Sequence, residues 1–477
     1  MLTFRQGYSC HLISGLKKLT LPRGRVFFLF IPFFCRLEKA LTLLYNVIKG
    51  GIALKEKLKE KLNKHYYKYL HKEKYRNILN DFLFFFLWKV VYRVSALKKV
   101  DDKLVLFVAN RDMSLPAEFR DIYNYAKNEG YNAVLLCKPQ HESKTFYVNE
   151  WRKIRYDLKF TKYYARAVCT FVSDYYLPAF ANRPRKNARL VQLWHGCGAF
   201  KKWGYSTRNS SWGLKSDFFE KYNVHKTYTD IITSSEEVNG IYAEAFGSDA
   251  SRVKALGVAR TDVFFNSDFV REKREEVCSK YNIDKSKKII LWAPTFRGDS
   301  LQKSHNEITL ELEKMYNELK DDYVLLIKLH PHLVKGFNAQ TFAPDYMKSF
   351  AIKPHPTYPI ENLLCAADIL VSDYSSLIFE YALLEKPMLF FAYDLEEYEN
   401  GRAFCYNYTD FVPGEIVKDT DSLIEQIKKL AYGYDKEKII SFKRKYMSAC
   451  DGSSAKRIFD TVVKKKQPEA EKEFAIR

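Results

Sequence analysis

The sequence predicts an α/β protein: two Rossmann-like domains facing a cleft, preceded by a helical, basic N-terminal extension. Three observations carry this. From Lys103 onward, short apolar runs alternate with helical stretches, the pattern of strands joined by crossover helices in a parallel sheet. The alternation occurs twice, on either side of a hinge-like segment at Val253–Asp262. At 477 residues the chain is also long enough for two or three separate cores. The expected divisions are an extension over 1–100, a first domain over 101–255, a second over 256–463 and a loosely ordered tail over 464–477.

In the extension, Lys17, Lys18, Arg23 and Arg25 precede the apolar run Val26–Cys35, which is too short to span a bilayer and contains Pro32. Arg36, Glu38 and Lys39 follow it, so no small-residue cleavage site of a secretory leader is present there. Lys55–Lys61 and the segment up to Lys74 read as a strongly charged helix. Asp81–Arg93 then combines a dense aromatic face with interleaved cations, the composition of a helix lying in the interface of an anionic membrane. The same pattern also fits a helix packed on the first domain with its lysines solvated.

In the first domain, Leu104–Val108, Asn132–Cys137, Ala167–Val172, Leu190–Trp194 and Asp230–Thr233 read as strands, and Pro116–Glu129 as a helix. In the second, Lys288–Trp292, Tyr323–Leu329, Asp368–Val371 and Met388–Phe391 repeat the pattern. Helical, basic sequence follows Asp421.

Open α/β sheets carry their chemistry at the carboxyl ends of strands. Val191–Trp194 ends on His195, then Gly196, Gly198 and the pair Lys201–Lys202. That is a titratable imidazole at a strand end, placed for a general base, with glycines that let backbone N–H groups approach a ligand. It also fits a satisfied histidine beside a turn. Ala293–Asp299 places Arg297 where it could fork onto phosphate oxygens or pair with Asp299. Lys328–His332 sets His330 and His332 around a proline; stabilising phosphate charge suits His330 better than zinc, for which no third ligand is evident. Val371–Glu380 runs from a strand through Asp373, Ser375 and Ser376 into a helix, a pattern that fits an anion site, a plain N-cap, or both. Glu380 could face the cleft toward ribose hydroxyls or be a surface charge.

Composition narrows the partners. A net charge of +21 favours an anionic surface, and 47% hydrophobic content excludes a mostly disordered chain. The basic and aromatic residues form no recognisable nucleic-acid motif. Nine scattered cysteines without a C-x-x-C pair point to a reducing compartment. Cys197, beside His195, is a candidate nucleophile.

Taken together, these clusters resemble the CDP-glycerol glycerophosphotransferase family, the teichoic-acid primases and polymerases. The likeness spans Leu104 to Arg457. It rests on Trp194-His195-Gly196 with Lys201 and Gly204, on Gly257, Arg260 and Asp262, and on Ala293–Arg297. His330-Pro331, Asp373–Ser376 and the late Asp451, Gly452 and Arg457 complete it. The resemblance implies a GT-B type fold and transfer of glycerol phosphate from CDP-glycerol to an acceptor hydroxyl, releasing CMP. Cys197–Phe200 is similar to members that use ribitol phosphate, so CDP-ribitol is the alternative donor. His195 and His330 would be catalytic. Gly196, Lys201, Arg260, Arg297, Asp373, Ser375, Ser376 and Glu380 would bind substrate, and a divalent cation such as magnesium could accompany the nucleotide. The implied acceptor is a lipid-linked polyol-phosphate or glycan at the cytoplasmic face of a bacterial membrane, where the enzyme would be peripheral. A nucleotide-sugar glycosyltransferase on the same fold, or a basic membrane- or nucleic-acid-binding protein, are the other readings.

Overall fold

A computed structural model describes residues 73–138, 146–210, 213, 215–295, 297, 309–329, 343–401 and 403–464. The chain divides into two compact units, residues 1–79 with 142–150 and residues 80–141 with 151–477. The second unit contains both sheets.

The first sheet comprises β1 (Asp101–Ala109), β2 (Asn132–Cys137), β3 (Ala167–Val172), β4 (Arg189–Gln192), β5 (Asp230–Thr233) and β6 (Val253–Ala255). Its order is β2-β1-β3-β4-β5-β6, and every pair is parallel. The second comprises β7 (Lys288–Trp292), β8 (Tyr323–Ile327), β9 (Ala351–Ile352), β10 (Ile369–Ser372), β11 (Met388–Phe391) and β12 (Glu415–Val417). Its order, β12-β11-β10-β7-β8-β9, is also wholly parallel. Parallel strands are covered on both faces, which is why they read as unbroken apolar runs: Leu104–Ala109 is buried throughout, as is Ile289–Trp292. Strand order reverses between β1 and β3 in one sheet and between β7 and β10 in the other. These are the two switch points outside which an α/β fold opens a crevice.

The end of the segment expected to form the second domain packs on the first. The last helix, Ser454–Val462, returns to the first sheet, where Ala455, Ile458, Phe459 and Val462 join the core of Val105, Phe107 and Phe119. Asp262 anchors it by accepting the N–H groups of Ser454 (3.0 Å) and Ala455 (2.8 Å). Gly257 has φ +87°, and a Cβ there would overlap Ser454 and the Ala449 carbonyl, so only glycine lets hinge and helix meet. Arg457 bonds Asp451 (2.8 Å) and the Leu256 carbonyl (3.1 Å) from the other side. The two motifs, Gly257/Arg260/Asp262 and Asp451/Gly452/Arg457, thus adjoin at the crossover between the domains.

The aromatic segment expected to lie on a membrane divides its faces. Phe84, Trp88 and Tyr92 are buried, with Phe84 edge-on to Tyr222 (5.0 Å) and the Tyr92 hydroxyl bonded to the Arg183 carbonyl (2.8 Å). Phe85, Val90, Val94 and Leu97 remain exposed. Residues 1–72 and 465–477, and with them the apolar run and the lysine-rich helix, lie outside the described residues.

Candidate active site

At the end of β4 the backbone turns sharply. Trp194 adopts φ +57°, a left-handed conformation costing a bulky residue about 1–3 kcal/mol. The Gln192 side chain offsets this by accepting the Trp194 N–H (2.8 Å), and the indole stacks on Trp203 (5.9 Å) and meets Phe246 edge-on (5.2 Å). His195 follows, 39% exposed, with Nδ1 3.2 Å from the Ser173 carbonyl and 3.8 Å from Asp174. Burial, with Arg111 and Arg260, outweighs the opposing pull of Asp174 and holds the imidazole below its usual 6.5. A neutral ring is the form that accepts a proton.

The loop beyond is pinned. The Tyr242 hydroxyl lies 3.1 Å from the Gly196 carbonyl and 2.9 Å from that of Gly198. Gly198, not Gly196, is the glycine the geometry requires: it has φ +57°, and a Cβ would overlap the Phe379 ring. Residues 200–202 then zip onto 403–405 of the second domain, through Cys405 N–H to Phe200 (2.9 Å) and Lys202 N–H to Ala403 (3.0 Å). Lys201 reaches the Tyr398 hydroxyl (2.7 Å).

Arg260 joins the domains. Its guanidinium donates to Glu118 (2.8 Å), to the His195 carbonyl (2.6 Å) and to Glu380. Glu380 is 3% exposed, and its carboxylate lies beneath the His195 loop, taken up by Arg260. Arg260 likewise directs its charge inward rather than toward solvent. The Cys197 thiol is buried against the same carboxylate (3.6 Å); burial and then Glu380 push it well above 9.0, which suits packing and not nucleophilic attack.

At the second switch point, Arg297 forks onto Asp394 (2.6 and 2.9 Å) and bonds Asp373 (3.0 Å), with Tyr374 and Tyr398 each 5.1 Å from its guanidinium. Asp373 also accepts the Thr295 N–H (2.9 Å) and the Tyr374 N–H (2.6 Å). Tyr398, shared with Lys201, links this cluster to the His195 loop. Ser375 and Ser376 begin the short helix Leu377–Ala382, and the Ser375 hydroxyl accepts the Leu377 N–H (3.3 Å). His330, Pro331 and His332 lie outside the described residues. Asp373 and Asp394 are taken up by Arg297, and among the described residues no group of three or more His, Cys, Asp or Glu could hold a metal ion.

Sequence reasoning missed Arg111, Glu118, Asp174, Asp394 and Tyr398. Arg111, Asp174 and Asp394 all sit one to three residues beyond β1, β3 and β11, so the strand-end rule that found His195 would also have selected them.

The family described as CDP-Glycerol:Poly(glycerophosphate) glycerophosphotransferase matches residues 90–464. The teichoic acid poly(ribitol-phosphate) polymerase of Bacillus spizizenii is 34% identical over 81% of this chain, which spans only 59% of that protein. The teichoic acid ribitol-phosphate primase of the same organism is 34% identical over 77% of this chain and 93% of its own length. The teichoic acid glycerol-phosphate primase of Bacillus subtilis is 32% identical over 61% of this chain and 71% of its own. The solved structure of the wall teichoic acid polymerase TagF shares the fold, with a TM-score of 0.64 at 23% identity over 79% of this chain and 92% of that one. With the match extending over most of its length, the chain belongs to the CDP-glycerol:poly(glycerophosphate) glycerophosphotransferase family.

Proposed function

We propose that the chain transfers a polyol phosphate from a CDP-polyol to a hydroxyl of a membrane-linked acceptor, releasing CMP. The observation that carries this reading is His195: a neutral imidazole on a strained turn, beside one switch point and joined through Lys201 and Tyr398 to the Arg297 cluster at the other. His195 takes the acceptor hydroxyl proton while the oxygen attacks the phosphorus bearing the polyol. The new P–O bond forms as the anhydride P–O bond breaks, and CMP leaves with the electron pair. Such transfers depend on positioning and positive charge more than on covalent catalysis. Arg297, Lys201, Ser375 and Ser376, with His330, are assigned to hold the pyrophosphate.

The motifs point first to CDP-glycerol. CDP-ribitol is the second reading, favoured by relatives named for ribitol phosphate that are 34% identical over 77% and 81% of the chain, against 27% over 79% for a poly(glycerol phosphate) polymerase. The exposed residues Phe85, Val90, Val94 and Leu97, with Lys89 and Arg93 interleaved, support contact with an anionic membrane carrying the acceptor.

The test is CMP release by the purified protein, offered CDP-glycerol and CDP-ribitol separately with a glycerophosphate-primed lipid acceptor. Acceptor-dependent release from one donor, abolished by His195→Ala, is expected. Turnover of nucleotide sugars but neither CDP-polyol, or a fully active His195→Ala protein, would overturn the reading.

A further inference from the structure

We infer that Asp174, braced by Arg111, is the positioning residue for His195: its carboxylate faces the Nδ1 edge of the imidazole, leaving Nε2 for the acceptor, and stabilises the cation formed when the proton is taken. The inference rests on the reading of His195 as the base.

The geometry is built from three adjacent strand ends. Arg111 follows β1, Asp174 follows β3 and His195 follows β4, at and beside the switch point of the first sheet. The Ser173 carbonyl, 3.2 Å from Nδ1, can only accept, so Nδ1 carries the hydrogen and Nε2 keeps its lone pair. Asp174 Oδ1 lies 3.8 Å from Nδ1, too far for a hydrogen bond but well inside Coulombic range. That carboxylate is fixed: Arg111 Nε bonds Oδ2 at 2.6 Å, the Tyr175 N–H bonds Oδ1 at 2.7 Å, and the side chain is 13% exposed.

Gln192, fully buried, sets the spacing. Its Nε2 donates to the Asp174 carbonyl (3.3 Å) and the Tyr228 hydroxyl (2.8 Å), while its Oε1 accepts the Trp194 N–H (2.8 Å). One side chain therefore ties the Asp174 loop to the turn that presents His195. Such a carboxylate–imidazole arrangement orients a base and favours its protonated state during the reaction.

The charged groups acting on the imidazole are Asp174 from the β3 loop, Arg111 from the β1 loop and Arg260 from the hinge; Asp112 in turn interacts with Arg111 and Asp174, and Glu118 backs Arg260. Asp174 raises the affinity of His195 for a proton; burial, Arg111 and Arg260 lower it. Substituting the two partners therefore moves His195 in opposite directions, which a merely structural role would not do.

The experiment follows the His195 ring by NMR in the full chain with labelled histidine, assigned by His195→Asn, alongside the pH profile of CMP release. Asp174→Asn is expected to lower the His195 midpoint by about one pH unit, a tenfold change in proton affinity. It should also lower kcat at least about tenfold with little change in donor KM, and Asp174→Glu should restore part of the rate. Arg111→Gln is expected to raise the midpoint. An unmoved midpoint in folded Asp174→Asn, or a fall in Arg111→Gln, would overturn the inference, and Arg111→Gln alone decides should Asp174→Asn not fold. Midpoints that move as expected while His195→Asn stays active would leave the pair intact and remove the base assignment instead.

Discussion

Arg260→Met tests whether one buried cation joins the two domains. The substitution keeps most of the side-chain length and removes the charge. It leaves Glu380, 3% exposed, without its cation, and withdraws the donor to the His195 carbonyl; Glu118, at 18% exposure, loses a partner too but can reach water. Removing one partner of a buried pair costs about 3–5 kcal/mol, because the remaining charge stays desolvated. With Arg260 only 15% exposed and Glu380 less, little of this is relieved by solvent, so a loss of about 3–5 kcal/mol is expected. The assay is urea denaturation followed by tryptophan fluorescence, compared at equal slope. The Arg260→Met/Glu380→Leu double variant should recover most of the loss, since replacing both members with apolar groups is often near neutral. A single-variant loss below about 1 kcal/mol, the scale of an exposed pair, would refute the buried coupling. A double variant no better than the single would show that Glu380 is not the source of the cost.

Three further outcomes follow from the packing. Burial holds His225 neutral, down to about 3, among Phe180, Phe219 and Phe246, while the unfolded chain titrates near 6.5. The unfolded state therefore binds the extra proton between these values, so stability falls as pH drops below 6.5, by up to about 1.4 kcal/mol per pH unit. His225→Asn should flatten the slope of unfolding free energy between pH 6.5 and 4, and an unchanged slope would contradict this. Gly198→Ala is expected to cost about 1–3 kcal/mol from its left-handed backbone alone, plus overlap with Phe379, whereas Gly196→Ala should fold normally; equal melting temperatures would show the glycine is not required. Val94→Asp with Leu97→Asp should weaken sedimentation with anionic phosphatidylglycerol vesicles without shifting the melting temperature, and undiminished binding would remove this stripe from the membrane reading.

What the sequence determined by itself was the architecture and the location of the chemistry. Parallel strands covered on both faces must be apolar throughout, so nine of them stand out as unbroken runs, and the residues just beyond them mark where a cleft can form. His195, Arg297 and Asp373 were legible for that reason. β9 and β12, of two and three residues, were not, because they are too short for any period to register. Val253–Ala255, read as the start of a hinge, is the edge strand β6.

Tertiary structure alone decided which charges face inward and which faces are covered. Glu380 pairs with Arg260, 120 positions away in sequence, and Asp174 meets His195 only because β3 and β4 are neighbours. The last helix carries an ordinary amphipathic pattern, which says that it packs but not on which sheet; Asp262 and Gly257 settle that by fitting its first turn. Phe84 and Phe85 are adjacent and chemically identical, yet one is buried and the other exposed: Phe84 meets Tyr222 edge-on at 5.0 Å within the core, whereas Phe85 stacks on the same ring at 6.1 Å and leaves part of its surface open. Local periodicity records that a residue is apolar or charged. Its partner is set by strand order and chain crossing, which no single stretch of sequence contains.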